Sequence, residues 1–458
     1  MMKNNNEDCL KVKNGNNNNN NNKEEKVNAM IYVVFISLLL DLLAFTMILP
    51  LLPSLLEHYR QHDSMGLYTW LSKKVYYFQE LVGAPEQYSS VLFGGFLGSL
   101  FSFLQFVASP IVGGISDVLG RKIVMIICLI GIAASYVLWA LSSNLVLFII
   151  ARFVGGISKG NVSLSMAIIA DVSSMKTRGV GMALVGIAFS LGFIIGPLIG
   201  AIFAVWARSK TGDWFVVPAM FAFFLAFLDL VFFVMFFRET LPIEKRAKSL
   251  WGSLRNAKAL IDLRDLFQFK AVTNGKQSDL QQLRKLGLVY FVYLFIYSGL
   301  EFTLTFLTHH VFNYNSMQQG WMFFNIGLIM AIIQGGYVRR LPPHKIKSTA
   351  VIGLWLIVPS FVCVGLAYTT WMLYLGLVLF AISTALVVPC MMTMASSYGS
   401  PQQKGTVMGI FRSLGALARA LGPVIASISF WSLGSTITYL VGAVALLWPV
   451  LTLKNSVR

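Results

Sequence analysis

Seven ionisable side chains stand inside stretches of sequence that are otherwise apolar enough to lie in a membrane. They are Asp41, Arg152, Lys159, Asp229, Glu301, Arg412 and Arg419. A charge at the centre of a membrane helix costs at least about 2.5–3.5 kcal/mol unless it is paired or hydrated, so such residues mark paths for ions or substrates. The carboxyl groups can bind and release protons, and the cations can hold an anion. The chemistry expected here is therefore binding and proton transfer.

The four cations form two pairs with the same spacing. Arg152 and Lys159 are seven residues apart, and so are Arg412 and Arg419. Seven residues make nearly two helical turns, so each pair occupies one helix face over about 10 Å. We expect Arg412 or Arg419 to bind an organic carboxylate bidentately, with apolar and aromatic walls around the rest of the molecule. The alternative is that these cations only neutralise nearby acids.

Asp41 is the first candidate for proton coupling. Burial in a medium of low dielectric constant favours its neutral form, and a neighbouring Arg152 favours its charged form. This balance suits reversible protonation, as a proton carrier requires. The alternative is a static buried ion pair that fixes the first membrane helix to the fourth.

The remaining ionisable residues are distinguished by the partners available to them. Glu301 can oppose Arg412 or Arg419, which makes it a second candidate for proton coupling. Asp229 has no obvious cation in the membrane, and we interpret it as structural or interfacial. Lys159 is the cation with the least obvious partner, and it is therefore a candidate for contact with substrate.

The composition excludes a soluble protein. Of the 458 residues, 56% are hydrophobic and only 12% are charged, and the mean hydropathy is +0.70, so water would meet far too much hydrocarbon. The four cysteines lie in a polar tail or in apolar stretches, and we predict no disulfide framework and no metal site. The chain carries no nucleotide-binding loop and no nucleophile motif, so we predict neither an enzyme nor a cofactor.

Twelve predicted membrane helices must position the charged residues. Crossing about 30 Å of hydrocarbon takes about 20 helical residues. Stretches of this length lie at residues 30–56, 89–115, 123–142, 145–170, 179–205, 214–237, 286–308, 318–338, 348–367, 371–395, 405–428 and 433–453. The predicted fold is all-α and membrane-integral, with six-helix halves at 29–237 and 286–453, a linker at 238–285, a disordered Asn-rich tail at 1–28 and a short tail at 454–458.

The two halves are related in sequence. Residues 178–201 recur in altered form 226 positions later as residues 404–427, and both copies contain a Gly-Pro step. The small residues are predicted to let two membrane helices approach closely, and the prolines to introduce a functional bend. They are Gly192, Gly196, Pro197 and Gly200 in the first copy and Gly422 and Pro423 in the second. A duplicated membrane protein usually has its working site between its halves.

The positions of Lys and Arg predict the orientation in the membrane. Residues 238–285 alone carry 11 basic residues against 5 acidic ones. The positive-inside rule then places the linker and both termini in the cytoplasm. This bias and the attraction of anionic lipid explain the net charge of +17, and nucleic acid is not needed as a partner. We expect a monomer in the plasma membrane, with an endomembrane as the alternative.

The loop after the second predicted helix carries the first resemblance to a known family. The run Gly113-Gly114-Ile115-Ser116-Asp117-Val118-Leu119-Gly120-Arg121-Lys122 resembles the loop signature of the major facilitator superfamily. Val118 departs from it, because a basic residue usually follows the aspartate. The resemblance implies a gating loop in which Asp117 caps a neighbouring helix N-terminus and Arg121 holds a carboxylate, so that the pair latches one gate state.

Further runs narrow the resemblance. Residues 152–156 are similar to the signature of the fourth helix, and residues 192–200 to a signature found mainly in the antiporters of the superfamily. The pattern at residues 40–53 resembles the opening of bacterial tetracycline/proton antiporters. Other runs resemble a eukaryotic, tetracycline-transporter-like branch, which implies an organic anion exporter that works as an antiporter.

The mechanism that these observations suggest is alternating access. The two halves are expected to rock about a site near the middle of the membrane, where the basic faces hold an amphipathic organic anion. Protonation of Asp41, with Glu301, would bias which side is open. Three alternatives stay open, namely a tetracycline-type drug or organic cation/proton antiporter, a uniporter of a neutral nutrient, and a receptor or scaffold that binds a partner through its linker.

Overall fold

The structure is a computed structural model, and it describes residues 28–62, 66–71, 73, 89–173, 178–208, 214–246, 249, 251, 261–270, 272, 277–398 and 404–455. The predicted disordered tail at residues 1–27 and most of the connection at 63–88 lie outside the described residues. Eleven helical stretches of the described chain are long and apolar enough to cross a membrane. The last, Val407–Asn455, has 49 residues, enough for two crossings. The prediction of an all-α membrane fold with twelve crossings is confirmed.

The described part of the first half contains eight principal helices. They are α1 (Ala29–Thr46), α2 (Leu52–Gln61), α3 (Ser89–Leu119), α4 (Arg121–Ala140), α5 (Leu145–Ser158), α6 (Asn161–Val172), α7 (Arg178–Arg208) and α8 (Val216–Phe236). Helix α1 begins where the side chain of Asn28 accepts a hydrogen bond of 2.9 Å from the backbone N–H of Met30. Helix α1 packs against α6, α7 and α8, which places it at the centre of this half.

The described part of the second half contains six helices, and a short helix precedes them in the described part of the linker. They are α9 (Leu263–Gln268), α10 (Gln277–Phe312), α11 (Ser316–Gly336), α12 (Ile346–Gly365), α13 (Thr370–Ser397), α14 (Lys404–Ala445) and α15 (Leu447–Asn455). Helix α10 begins inside the segment that the sequence assigned to the linker. Helix α14 contains Gly434 at φ +82°, a left-handed conformation that suits glycine and turns the chain back into the membrane.

The first and the fourth of the predicted membrane helices are interrupted near candidate site residues. The first membrane segment stops as an α-helix at Thr46 and continues as a 3-10 turn at Leu49–Leu51 and then as α2, because Pro50 and Pro53 remove backbone donors. The fourth is split into α5 and α6 at Lys159–Gly160. The prediction of a continuous fourth helix was therefore wrong at the position of a functional candidate.

The linker packs against the second half. Phe269 follows α9 in the left-handed conformation at φ 54° and is buried to 1% exposure. Its ring lies 5.7 Å from that of Phe411 on α14 and against Gly287 of α10. The side of the molecule that carries this segment is called the linker side below, and the opposite side is called the far side.

The two halves contact each other more closely on the far side than on the linker side. On the far side, Gly95 of α3 lies so close to Ser427 of α14 that a Cβ would collide, and Gly320 of α11 approaches α7 in the same way. On the linker side, a Cβ added to Gly113 of α3 or to Gly409 of α14 would meet no described atom within 4 Å. The halves are thus in close contact on the far side, whereas the described residues leave open space beside Gly113 and Gly409 at the linker-side ends of α3 and α14.

Candidate functional site

A buried ion pair lies at the centre of the first half. The ammonium of Lys159 donates to Asp41 Oδ1 over 2.6 Å, and the amide of Asn161 donates to Asp41 Oδ2 over 2.7 Å. The side chains of Asp41 and Lys159 are 1% and 4% exposed. Asp41 comes from α1, whereas Lys159 and Asn161 flank the break between α5 and α6. The break therefore brings two donors from one segment to the same carboxylate.

This pairing differs from the one that the sequence suggested. Arg152 was expected beside Asp41, and Lys159 was expected to have no clear partner. In the structure Lys159 is the ion-pair partner, because the chain turns at Gly160 and directs it toward α1. Arg152 instead stacks on an aromatic pair, with its Cζ 4.2 Å from the centre of the Phe101 ring. Phe101 stacks in turn on Phe45 of α1 at 5.2 Å.

Arg412 and Arg419 lie on one face of α14. Arg419 is exposed, although it stands in the middle of a membrane-crossing helix. Leu421 is also exposed, and two residues rotate a helix by about 200°, so Arg419 points away from the outer surface on which Leu421 lies. Among the described residues, no carboxylate comes within 4.0 Å of Arg412, Arg419 or Arg152. Within the described part of the chain, these three cations therefore have no ion-pair partner.

Glu301 is placed near this basic face. Tyr297, one turn earlier on α10, donates to Glu301 Oε1 over 2.9 Å. Arg419 is near enough to act on Glu301 electrostatically but does not form an ion pair with it. Phe302, the next residue, packs against Gly98 of α3. Glu301 therefore stands where the two halves meet, about one helical turn along from the aromatic pair that holds Arg152.

The predicted gating loop forms a compact ion-pair network. Arg121 opens α4 after Gly120, whose φ of +101° permits the sharp turn from α3. Its guanidinium lies 2.7 Å from Asp117 and 2.9 Å from Asp171 at the end of α6. It also donates to Ser116 over 2.5 Å. In this conformation Asp117 therefore pairs with Arg121 inside the loop, and it caps no neighbouring helix among those described.

Glu239 performs the capping that was expected of Asp117. Its carboxylate accepts hydrogen bonds of 3.0 Å and 3.1 Å from the backbone N–H groups of Arg121 and Lys122 at the start of α4. Burial alone would raise the pKa of Glu239. The four backbone N–H groups that it faces outweigh this effect and hold its pKa below the ordinary value. Lys122 also donates to the carbonyl of Val234 over 3.3 Å, which ties the loop to the end of α8.

The repeated Gly-Pro segments lie at close helix contacts. On α7, Gly192 touches Leu42 of α1, and Thr46 donates to the carbonyl of Gly192 over 2.7 Å. Gly196 and Gly200 continue the same contact along α1, so side chains at these positions would clash with its backbone. On α14, Gly422 lies against the backbone of α10. Both helices continue through their prolines, Pro197 and Pro423.

Several site residues were not identified from the sequence. Asn161, Phe45, Phe101, Tyr297, Asp171 and Glu239 are the main ones. A signal was available only for Asn161 and Asp171, which are polar residues in or at the end of an apolar stretch. The aromatic residues are indistinguishable from the other phenylalanines and tyrosines of the chain, because only packing reveals which of them contact a cation.

Comparison with known proteins is consistent with this architecture. The family profile of the Major Facilitator Superfamily matches residues 34–423. The chain is 48% identical to major facilitator superfamily domain-containing protein 10 of Homo sapiens over 433 residues, which are 93% of this chain and 92% of that protein. It is 24% identical to the class B tetracycline resistance protein of Escherichia coli over 409 residues, covering 88% and 89% of the two chains.

The solved structures agree with the sequence comparison. The crystal structure of the human organic anion transporter MFSD10 (TETRAN) superposes with a TM-score of 0.77 at 47% identity, covering 92% of this chain and 98% of that one. A transporter of the POT family in complex with 5-aminolevulinic acid has a TM-score of 0.69 at 14% identity and covers 92% and 95% of the two chains. The latter similarity concerns the fold alone.

Proposed function

The chain belongs to the major facilitator superfamily, and on that premise we propose that it is a proton-coupled exporter of organic anions that works by alternating access. Transport of a small molecule across a membrane is common to the relatives, none of which is an enzyme. The observation that carries the choice of an anion is the set of three intramembrane cations without an ion-pair partner among the described residues. The human relative of known structure is itself described as an organic anion transporter.

The substrate would lie between the basic faces of the two halves. Either Arg412 or Arg419 would bind a carboxylate or sulfonate bidentately through one planar guanidinium, a geometry that lysine cannot supply. Arg152 provides a third cation on the opposite half, and its stacking on Phe101 fixes the direction of its donors. The Phe45–Phe101 pair would form an apolar wall for the carbon skeleton, so the preferred substrate is amphipathic.

Proton coupling would use the two acids near this space. Glu301 lies near Arg419, and Asp41 is paired with Lys159, so protonation of either acid would change the charge that these cations face. Protonation of Asp41, with Glu301, would favour one open side of the protein, and binding of the anion would favour the other. Inward movement of a proton would then drive export of the anion, as an antiporter requires.

The conformation described here would be one of the two end states. If the linker side faces the cytoplasm, as the distribution of basic residues predicts, the separation of α3 from α14 admits substrate from the cytoplasm. Closing that side would bring Gly113 and Gly409 toward the opposite half, and the contact at Gly95 would open. The network of Arg121, Asp117 and Asp171 lies at the end of α3 that moves, where it can latch one state.

The test is flux of a labelled amphipathic carboxylate into liposomes that contain the purified protein, with and without an imposed pH gradient. Accumulation driven by the gradient is expected for the wild type and is expected to be lost in Arg412→Ala. Arg340→Ala is the matched control, because Arg340 is an exposed arginine at the linker-side end of α11. Wild-type accumulation that Arg412→Ala retains would contradict the assigned site. Flux of organic cations in place of anions would favour a tetracycline-type antiporter.

A further inference from the structure

One buried acid takes no part in the mechanism above. Asp229 lies on α8 with 0% of its side chain exposed, on the face that packs against α1. Neither of its carboxylate oxygens accepts a hydrogen bond of normal geometry from the described residues. The hydroxyl of Ser37, one helical turn before Asp41 on α1, lies beside it. This is an unusual environment for a carboxyl group, because such groups are normally paired when buried.

The charges around Asp229 can be counted helix by helix. Asp41 on α1 and Lys159 at the break between α5 and α6 both act on it electrostatically. Helix α4 contributes Cys128 and Tyr136, which are near Asp41 and are uncharged side chains at neutral pH. Helix α7 has no ionisable side chain between residues 179 and 207. The described surroundings therefore hold two acids and one cation.

The single cation, Lys159, already has an ion-pair partner. Lys159 is bonded to Asp41, whose second oxygen accepts from Asn161. An ionised Asp229 would be a second negative charge in the same dry region, with the Ser37 hydroxyl as its one neighbouring donor among the described residues and without a counter-ion of its own. A carboxyl group in that position takes up a proton instead, because the neutral acid loses far less on leaving water.

We propose that Asp229 is a proton-binding site. Asp41 and Asp229 together hold one proton, and the ammonium of Lys159 pairs with whichever of the two is ionised. In the conformation described here the proton is on Asp229 and Asp41 is ionised. Lys159 ends α5 at a break in the helix, so a rotation between α5 and α6 can carry its ammonium from Asp41 to Asp229. The proton then leaves the Asp229 carboxyl and binds the Asp41 carboxylate, and the cluster keeps its total charge.

This proton site would lie inside the first half, farther from the second half than the substrate site. Among the described residues, the principal contacts of the helix that carries Asp229 are with α1 and α4 of the first half. The role in transport rests on the proposed function, because the pair would hold the proton that is exchanged for the substrate. The protonation of Asp229 itself rests only on burial and charge.

Infrared difference spectroscopy of the purified protein tests the protonation directly. At pH 7.5 we expect the wild type to show the carbonyl stretch of a protonated carboxylic acid, and Asp229→Asn to lack the intensity of one such group. Asp265→Asn is the control, because Asp265 is a linker aspartate bonded to Lys270, and its spectrum should match the wild type. An Asp229→Asn spectrum identical to the wild type would overturn the proposal.

A second variant tests the shared proton without altering Asp229. Lys159→Met removes the only cation of the described cluster, so both acids should then be protonated and the carbonyl band should gain the intensity of one group. A band of unchanged intensity would contradict the proposal.

In liposomes, Asp229→Asn should move substrate down its own gradient and lose accumulation driven by pH. If the wild type shows no flux, the proposed function fails, whereas the spectra still decide whether Asp229 holds a proton.

Discussion

Removing one partner of the Asp41–Lys159 ion pair is expected to destabilise the folded protein strongly. The charged atoms are 2.6 Å apart, and the two side chains are 1% and 4% exposed. With an effective dielectric constant of 20, unit charges at this distance attract each other by about 6 kcal/mol. Loss of hydration opposes this attraction, so the pair as a whole contributes little. A single substitution should nevertheless cost about 3–5 kcal/mol, because the remaining buried group must either stay unpaired or change its protonation or its partner.

A double-mutant cycle measures this effect. The free energy of unfolding would be obtained by denaturant titration in mixed micelles for Lys159→Met, Asp41→Asn and the double variant. Each single variant should lose about 3–5 kcal/mol, whereas the double variant should lie near or above the wild type, because no unpaired charge remains. Lys270→Met is the control, since its ion pair with Asp265 is on the surface and should contribute less than about 1 kcal/mol.

The cycle can refute the reasoning in a specific way. Losses below about 1 kcal/mol in both single variants, adding up in the double variant, would mean that water reaches the pair. Lys159 would then be accessible from the space between the halves, and the interpretation of this residue as a substrate contact would be preferred over that of an ion-pair partner.

Two further predictions concern the ends of the helices and the contact between the halves. Glu239→Gln should lower stability by about 0.3–1 kcal/mol at pH 7, since it removes the negative charge at the start of α4. Because the pKa of Glu239 is lowered in the folded protein, the stabilisation is present above its ordinary pKa of 4.5 and is lost as the pH falls through the lower folded value. Thermal unfolding of both proteins from pH 7 to pH 3 should therefore converge. Gly95→Val should weaken closure on the far side and increase labelling of cysteines introduced there, whereas Gly186→Val, at an exposed position of α7 where the structure has open space, should leave labelling unchanged.

Much of the architecture could be predicted from the sequence. Apolar stretches of about 20 residues have few ways to satisfy their backbone groups in lipid, so the twelve crossings and the all-α fold follow from composition and length. The repeat at residues 178–201 and 404–427 indicates two halves with a site between them. The charged residues in the membrane are also visible directly, because each is an exception to its surroundings. These properties depend on residues that are close together in the sequence, so they can be recognised without the structure.

The partners of those charged residues were decided only by the tertiary structure. The spacing of Arg152 and Lys159 places them on one helix face, but it does not contain the break at Gly160 that directs Lys159 to Asp41. Which helices touch, and at what rotation, depends on packing among segments that are distant in sequence. The same packing left Asp229 buried without a counter-ion of its own, and it left Arg412 and Arg419 without an ion pair among the described residues. The sequence alone thus determined which residues could do chemistry, and the folded chain determined which of them are neutralised and which remain available to a ligand.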